Sequence, residues 1–180
     1  DCGAGVVATI MHEVALAIGW PVIAEPRSAA WIAAPPLVRH ADAIMRSTRA
    51  ADLLRPEVIV RLGAPGSSRV VNEWLAGSGG REVVVGTVAG WSDPSATSAI
   101  VVEGDPGAFV AALGSAAGGG SDSRWFERWR TASAAAALAV DTAIEGISDP
   151  PMPAEPARPP AAGVTEPTIA RAVVRALPDG

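Results

Sequence analysis

"LRPEVIVRLGAPGSSRVVNEWL", residues 54–75, contains a β-branched apolar run that is followed first by a turn with two glycines and then by two serines. The run at 57–62 is bounded by a proline and by Gly63, and it predicts a strand. Ser67 and Ser68 stand where the cap of a following helix would lie. The stretch therefore predicts a strand, a glycine turn and a helix.

A helix N-terminus behind a glycine turn is also the geometry that binds phosphate. The P-loop pattern G-x-x-x-x-G-K-[ST] is missing, because the chain contains no lysine. A dinucleotide fingerprint needs G-x-G-x-x-G, and this loop offers only Gly63 and Gly66. We interpret the stretch as an ordinary strand-to-helix connection and not as a working nucleotide loop.

The rest of the chain repeats this alternation of strands and helices. Apolar runs predict strands at 21–26, 81–86 and 99–104. Apolar periodicity and end signals predict helices at 6–18 (stopped by Gly19), 40–54, 106–117 (opened by Asp105 and Pro106) and 121–147. Apolar strands that alternate with helices indicate an α/β fold, in which a parallel sheet is covered by helices on both faces.

The composition changes sharply after Ser148, where "DPPMPAEPARPPAAGV" begins. Proline-rich segments run extended, so 149–163 is predicted to be a linker. Thr165 as a cap and Pro167 near the first helical position predict a helix over 164–180, the start of a further domain. "DCGAG" at the N-terminus resembles the turn after a first strand, so we expect a piece of a longer protein.

Composition and charge exclude several classes of partner. The formal net charge is −5 and all 14 basic residues are scattered arginines, which argues against a nucleic-acid partner. Every apolar run is shorter than the ~18 residues of a membrane span. The one cysteine, Cys2, has no partner for an internal disulfide, and no Cys/His cluster exists for zinc. We expect a cytoplasmic protein without nucleic-acid or membrane partners.

Recognisable catalytic motifs are missing from the sequence. His12-Glu13 opens H-E-x-x-H, but Leu16 stands in place of the second metal ligand. His40 lies near Asp42 without a nucleophile, and is interpreted as a cap or surface residue. The acidic residues at strand ends are interpreted as caps and acceptors of backbone N–H groups: Glu25, Glu57, Asp93, Glu103 and Asp105. We predict no catalytic, cofactor-binding or metal-binding residue.

Four stretches together resemble one family, in the same order along the chain. They are "GWPVIAEPRSAAW" (19–31), "LRPEVIVRLGAPGSSRVVNEWLA" (54–76), "GWSDPSATSAIVVEGDP" (90–106) and "VTEPTIARAVVRALPDG" (164–180). They resemble the middle of actinobacterial 2-succinyl-5-enolpyruvyl-6-hydroxy-3-cyclohexene-1-carboxylate synthases (MenD), thiamine-diphosphate enzymes of menaquinone biosynthesis. The resemblance implies a central Rossmann-like domain at 1–148, a linker at 149–163 and the first helix of a truncated diphosphate-binding domain at 164–180.

The resemblance also implies where the chemistry lies. The family metal motif is Gly-Asp-Gly followed by Asn, but Gly104-Asp105 is followed here by Pro106, and the only asparagine, Asn72, lies upstream. We therefore expect a non-catalytic domain that is inactive alone, with thiamine diphosphate and Mg²⁺ bound by other domains of the parent. The parent is expected to join decarboxylated 2-oxoglutarate to isochorismate as a transferase. Its expected partners are its own remaining domains and further copies of itself, with Trp125 and Trp129 as packing anchors.

An alternative is a stand-alone Rossmann-like module that binds a small regulatory molecule at the carboxyl ends of the strands. An independent small enzyme is a third possibility, which the few available nucleophiles and bases disfavour.

A regulatory molecule would bind in a groove at the carboxyl ends of the strands. The residues of this possible effector groove are Arg27, Gly63, Ser67, Arg69 and Trp91. The resemblance implies a downstream aromatic acid as effector, whose carboxylate would require arginines. Because the corresponding loop positions carry Ala64 and Gly90, we predict weak binding or none.

Overall fold

The structure is a computed structural model that describes residues 2–31, 35–86, 99–117 and 123–147. The chain divides into two compact units, Asp1–Ala134 and Ala135–Gly180. The elements are α1 (Cys2–Ile18), α2 (Ala41–Met45), α3 (Thr48–Leu53), β1 (Val58–Leu62), α4 (Arg69–Gly77), β2 (Arg81–Gly86), β3 (Ile100–Glu103), α5 (Pro106–Ala116) and α6 (Ser123–Ile147). The predicted linker at 149–163 and helix at 164–180 lie outside the described residues.

Strands β1, β2 and β3 form a parallel sheet in that order. Val58 pairs with Arg81, and Val83 pairs with Ile100. Val84 and Val85 of the middle strand are both 0% exposed. Since successive side chains of a strand point to opposite faces, both faces of β2 are covered. The predicted α/β class, a Rossmann-like parallel sheet under helices, is confirmed.

The strand predicted at 21–26 is the one that fails within the described residues. Only Val22 pairs, in a single parallel bridge with Leu37. Its N–H donates to Pro36 O at 3.0 Å, and its carbonyl accepts the N–H of Val38 at 2.8 Å. The segment at 21–26 therefore forms a single bridge and not a regular strand.

The helix predicted over 40–54 is two helices, α2 and α3. Ser47 lies between them in an extended conformation, and its Oγ accepts the N–H of Ala50 at 3.3 Å. This side chain therefore caps a new helix instead of continuing the old one, a competition that serine makes readily. Sequence periodicity did not detect the break, because apolar residues recur at helical spacing on both sides of it.

Helix α1 begins earlier than predicted and ends where predicted. Its first residue is Cys2, so the interpretation of "DCGAG" as a glycine turn was wrong. At the other end Gly19 has a φ of 68°. Its N–H donates to Leu16 O at 3.2 Å, and the N–H of Trp20 donates to Ala15 O at 2.8 Å. These two bonds form the Schellman motif that a glycine permits after a helix.

Helices α1 and α5 pack closely because α5 presents glycines to α1. A Cβ placed on Gly107 would lie 2.9 Å from Val7 Cγ2, and one on Gly114 would lie 2.6 Å from Val14 Cγ2. Both distances are shorter than van der Waals contact, so the two backbones approach only where a side chain is missing. Val110 of α5 is buried between these glycines.

Three tryptophans form a second packing centre in the first unit. Trp129 is 2% exposed and meets the rings of Trp74 and Trp125 edge-to-face, with centroid distances of 5.8 and 6.1 Å. Trp74 Nε1 also donates to Ala51 O at 3.0 Å, which ties α4 to α3. The geometry is that of aromatic core packing within the chain. The prediction that Trp125 and Trp129 anchor contacts with the remaining domains or with further copies stays a prediction.

Candidate functional site

The loop of residues 63–68, between β1 and α4, is the strand-to-helix connection that the sequence predicted. It opens at Gly63, whose φ of 82° lies in the region that favours glycine. The N–H of Gly63 still donates to Val85 O at 2.8 Å, in continuation of the sheet. The loop closes at Ser68, whose Oγ accepts the N–H of Val71 at 3.2 Å and so caps α4.

A carboxylate from far upstream contacts this loop. The N–H of Ser67 donates to Glu25 Oε1 at 2.9 Å, and Ser67 Oγ donates to Glu25 Oε2 at 2.8 Å. A Cβ on Gly66 would lie 2.5 Å from Glu25 Oε1, so the carboxylate rests where a side chain at this position would stand. Glu25 thus accepts both hydrogen bonds that Ser67 donates.

A second carboxylate holds the neighbouring serine. Ser68 Oγ donates to Asp42 Oδ2 at 2.6 Å, and Arg46 Nε donates to Asp42 Oδ1 at 2.8 Å. The hydrogen bond from Ser68, followed by that from Arg46, lowers the pKa of Asp42 below its ordinary value. Asn72 Nδ2 closes the turn from inside, donating to Gly66 O at 2.7 Å. The loop is therefore braced from α2, from α4 and from the segment around Glu25.

The structure brings together only part of the predicted effector groove. Gly63 and Ser67 lie in the loop. Arg69 is 86% exposed and lies 3.6 Å from Glu73, one turn along its own helix. Arg27 is exposed in the turn that follows Glu25. Trp91 lies outside the described residues, so the groove as a whole stays a prediction.

An ion pair inside the sheet was missed. Arg61 Nε lies 2.9 Å from Glu82 Oε1, and the two side chains are only 15% and 11% exposed. Arg61 is opposite Val84 and Glu82 is opposite Ile59, so both charges project from the same face of neighbouring strands. The signal was present in the sequence as opposite charges inside two apolar strands. Partial burial makes the pair sensitive to loss of either member.

His12 and Asp105 form hydrogen bonds with the backbone, whereas His40 makes no side-chain cap bond. His12 is 7% exposed, with Nε2 2.9 Å from Ala30 O. His40 occupies the N-cap position of α2 without a side-chain cap bond. Asp105 Oδ1 accepts the N–H of Ala108 at 2.7 Å and caps α5, as predicted. Within residues 2–31, 35–86, 99–117 and 123–147, no group of three His, Cys, Asp or Glu could hold a metal ion.

None of the helices among the described residues has both the length and the apolar character needed to cross a bilayer.

Comparison with known proteins gives a consistent answer. No family model matches the chain. It is 35% identical over 178 residues to the 2-succinyl-5-enolpyruvyl-6-hydroxy-3-cyclohexene-1-carboxylate synthase of Myxococcus xanthus, a match that covers 96% of this chain and 27% of that protein. The synthases of the same name from Nocardioides sp. and Halobacterium salinarum are 33% and 34% identical over 166 and 123 residues.

These matches cover 90% and 66% of this chain, but 27% and 20% of the two proteins. The chain thus spans about a quarter of the length of the curated relatives it matches. The matches span bacterial and archaeal proteins of one name, in agreement with the resemblance seen in the sequence. The chain belongs to the 2-succinyl-5-enolpyruvyl-6-hydroxy-3-cyclohexene-1-carboxylate synthase family.

Proposed function

We propose that this chain is the central, non-catalytic domain of a thiamine-diphosphate-dependent synthase of menaquinone biosynthesis. The parent enzyme decarboxylates 2-oxoglutarate and joins the product to isochorismate, which makes it a transferase. The observation that carries this proposal is the similarity of 96% of the chain to 27% of the Myxococcus xanthus synthase. The domain spaces the two cofactor-binding domains and contributes surface to a homo-oligomer in the cytoplasm.

The hydrogen bonding of two carboxylates supports a structural role. Glu25 accepts two bonds from Ser67, and Asp105 accepts one from Ala108. Carboxylates that hold loops in this way are committed to the fold and are poor general bases, which must reach a substrate proton. On this proposal, thiamine diphosphate and Mg²⁺ bind to the other domains of the parent, and this domain supplies rigidity.

Turnover by the isolated chain tests the proposal directly. Purified chain, supplied with thiamine diphosphate, Mg²⁺, isochorismate and 2-oxoglutarate, is expected to consume no substrate and to give no saturable heat of cofactor binding. The parent synthase serves as the positive control. Turnover above a no-protein control, in a preparation free of the parent enzyme, would show that the domain is catalytic.

A variant of the parent separates structural from catalytic roles. Glu82→Ala removes a carboxylate from the sheet, where it lies 2.9 Å from Arg61. We expect less folded parent enzyme, whereas kcat per folded active site stays within about twofold, because the change touches no transition-state contact. A fall in kcat of about tenfold or more at full folded occupancy would place this sheet in the chemistry.

The alternative, a stand-alone module that binds a regulatory molecule, is distinguished by calorimetry. Adenine nucleotides and a naphthoate-type acid are the probes. We expect dissociation constants no tighter than roughly 0.1 mM, which is about −5.5 kcal/mol. Binding of the acid in the low micromolar range, abolished by Arg69→Ala or Arg27→Ala, would favour the alternative.

A further inference from the structure

Alternate residues of β1 turn their backbone groups away from β2. The N–H of Gly63, directly after the strand, donates to Val85 O of β2 at 2.8 Å. Because the backbone groups of successive residues in a parallel strand point to opposite edges, the odd-numbered residues of β1 face β2 and the even-numbered residues face outward. The outward residues are Val58, Val60 and Leu62. Their N–H and C=O groups form no hydrogen bond on that edge within the described residues.

This open edge is half-buried, unlike the edge on the other side of the sheet. None of the five residues of β1 is exposed, whereas Ile100 and Val101 of β3 are 55% and 47% exposed. The one charge in β1, Arg61, is already paired with Glu82 inside the sheet. Natural edge strands are protected by charges, prolines or bulges, and a buried backbone group without a partner costs free energy. β1 therefore has the character of an inner strand.

A second incompletely paired segment lies beside the carboxyl end of β1. Ser67, in the loop after β1, donates to both carboxylate oxygens of Glu25, at 2.9 and 2.8 Å. Glu25 lies near the end of the segment at 21–26, in which Val22 forms one parallel bridge. The next residue, Ile23, is 39% exposed and makes no backbone hydrogen bond within the part of the chain that the structure describes. The segment and β1 thus end at the same place, but no described backbone hydrogen bond joins them.

We propose that one further β-strand inserts between the segment at 21–26 and the outer edge of β1, and that this strand belongs to the part of the synthase outside this chain. It runs parallel to β1, because the two elements beside it lie with their carboxyl ends together. Its backbone pairs with Val58, Val60 and Leu62, which makes β1 an inner strand of a wider parallel sheet.

The surroundings of the open edge define the chemistry of the inserted strand. Side chains alternate between the two faces of a strand, and those of β1 are apolar on both faces except for Arg61. Glu82 already neutralises that guanidinium at 2.9 Å. The inserted strand is therefore a run of about five uncharged, mainly β-branched residues, as is usual for strands that are covered on both faces.

The longer segments outside the described residues do not offer such a run. Residues 87–98, 118–122 and 149–163 are rich in glycine, proline and polar residues, and 164–180 has helical periodicity. The chain corresponds to 27% of the Myxococcus xanthus synthase. A second copy fits less well, because the helices on both faces of its sheet would meet those beside β1. The inference rests on the proposed function only in treating this chain as part of a synthase.

Hydrogen exchange in the full-length synthase, measured residue by residue with mass spectrometry and electron-transfer fragmentation, tests the inserted strand. We expect the amides of Val58, Val60 and Leu62 to be protected there as well as those of Ile59 and Arg61, which face β2. In this chain alone, the three outward amides should exchange at least about a hundredfold faster than in the synthase. Ile59 and Arg61 should stay protected and serve as the control for a folded sheet.

Fast exchange of the three outward amides in the full-length synthase, beside protected inward amides, would overturn the proposal. Equal protection in this chain alone would also overturn it, because the partner would then come from this chain or from a second copy. Protection that grows with protein concentration would identify the second copy. Turnover is not the readout, so a failure here leaves the proposed function standing, and turnover by this chain alone would leave the inserted strand standing.

A proline variant of the full-length synthase tests the same edge through stability. Val60→Pro removes an outward N–H, a change that sheets tolerate on an open edge. Because the inserted strand bonds to this N–H, we expect the variant to unfold at a lower urea concentration than the wild type. The matched control is Ile59→Pro, which removes an N–H that faces β2 and should lower the midpoint by a similar amount. An unchanged midpoint in Val60→Pro, beside a lowered one in Ile59→Pro, would contradict the inserted strand.

Discussion

Two strand-to-helix connections lie within the described residues, and they are held in opposite ways. The first runs from β1 to α4 through residues 63–68 and is braced by Glu25 and Asp42, which lie 42 and 26 residues from their serine partners. The second runs from β3 to α5 through Gly104 and Asp105 alone. There Asp105 caps its own helix three residues on, at 2.7 Å.

The difference follows from the number of backbone groups that each connection leaves to satisfy. A two-residue connection exposes few donors, and one aspartate satisfies them locally. A longer loop carries additional N–H groups that neither the strand nor the helix can pair. One of those groups, the N–H of Ser67, donates to the distant Glu25, so the long loop depends on a tertiary contact and the short one on a local contact.

The largest effect is expected in the sheet from which the first connection leaves. Glu82→Ala removes the carboxylate 2.9 Å from Arg61 Nε in a nearly buried site. We expect the free energy of unfolding to fall by about 3 kcal/mol, because the guanidinium stays in a poorly solvated environment. Urea denaturation with an unchanged m-value measures the loss.

The double variant Arg61→Met/Glu82→Leu is the control for this prediction. It replaces both charges by apolar groups of similar size and should be more stable than Glu82→Ala. A loss below about 1 kcal/mol in Glu82→Ala would mean that the pair behaves as a surface ion pair.

The next prediction applies the same substitution, glycine to alanine, to the two helices that follow the connections. Gly114→Ala in α5 places a methyl group 2.6 Å from Val14 Cγ2, and valine has little rotamer freedom with which to yield. We expect a loss of about 1–2 kcal/mol from overpacking, after the gain in helix propensity is included. Thermal denaturation reports the change as a lower Tm.

Gly77→Ala in α4 is the matched control. Nothing lies within 4 Å of the added Cβ, so only helix propensity changes. We expect the free energy of unfolding to rise by up to about 1 kcal/mol. Changes of the same sign at both glycines would show that packing against α1 does not fix α5.

The two helix caps test the comparison more directly. Asp105→Ala should cost about 1 kcal/mol of unfolding free energy, since it removes the acceptor of the Ala108 N–H. Asp105→Asn keeps that acceptor and should restore most of the loss. Ser68→Ala should cost at least as much, because Ser68 both caps α4 and donates to Asp42. A smaller loss at Ser68 than at Asp105 would mean that the long-range brace adds nothing to the cap.

The smallest effect concerns pH. The folded state lowers the pKa of Asp42 through hydrogen bonds from Ser68 and Arg46, so ionised Asp42 favours the folded state. This contribution is present above the unfolded pKa of about 4 and is lost as the pH falls through the folded value. Because Asp42 is partly exposed, the effect is small. Unfolding free energies measured between neutral and acid pH should fall less steeply in Asp42→Asn, and an identical slope would contradict the assignment.

Local sequence signals predicted where several strands and helices lie. The runs at 57–62 and 81–86 gave β1 and β2, Asp105 with Pro106 marked the start of α5, and Gly19 marked the end of α1. The failures have local causes of another kind. Ser47 accepts a backbone N–H inside an apolar pattern and so starts a new helix, and the segment at 21–26 forms only a single bridge. Hydrophobic periodicity alone does not detect either feature.

The sequence alone determined the α/β class, the strand-glycine-helix unit and the resemblance to the synthase family, because periodicity, capping and motif order act over short distances along the chain. Only the tertiary structure decided that Glu25 binds Ser67, that Asp42 binds Ser68 and that Arg61 pairs with Glu82. Each of these pairs joins separate elements, and the choice of partner depends on how those elements pack. The sequence shows that a serine or a carboxylate needs a hydrogen-bond or ion-pair partner, but it does not show which residue that partner is.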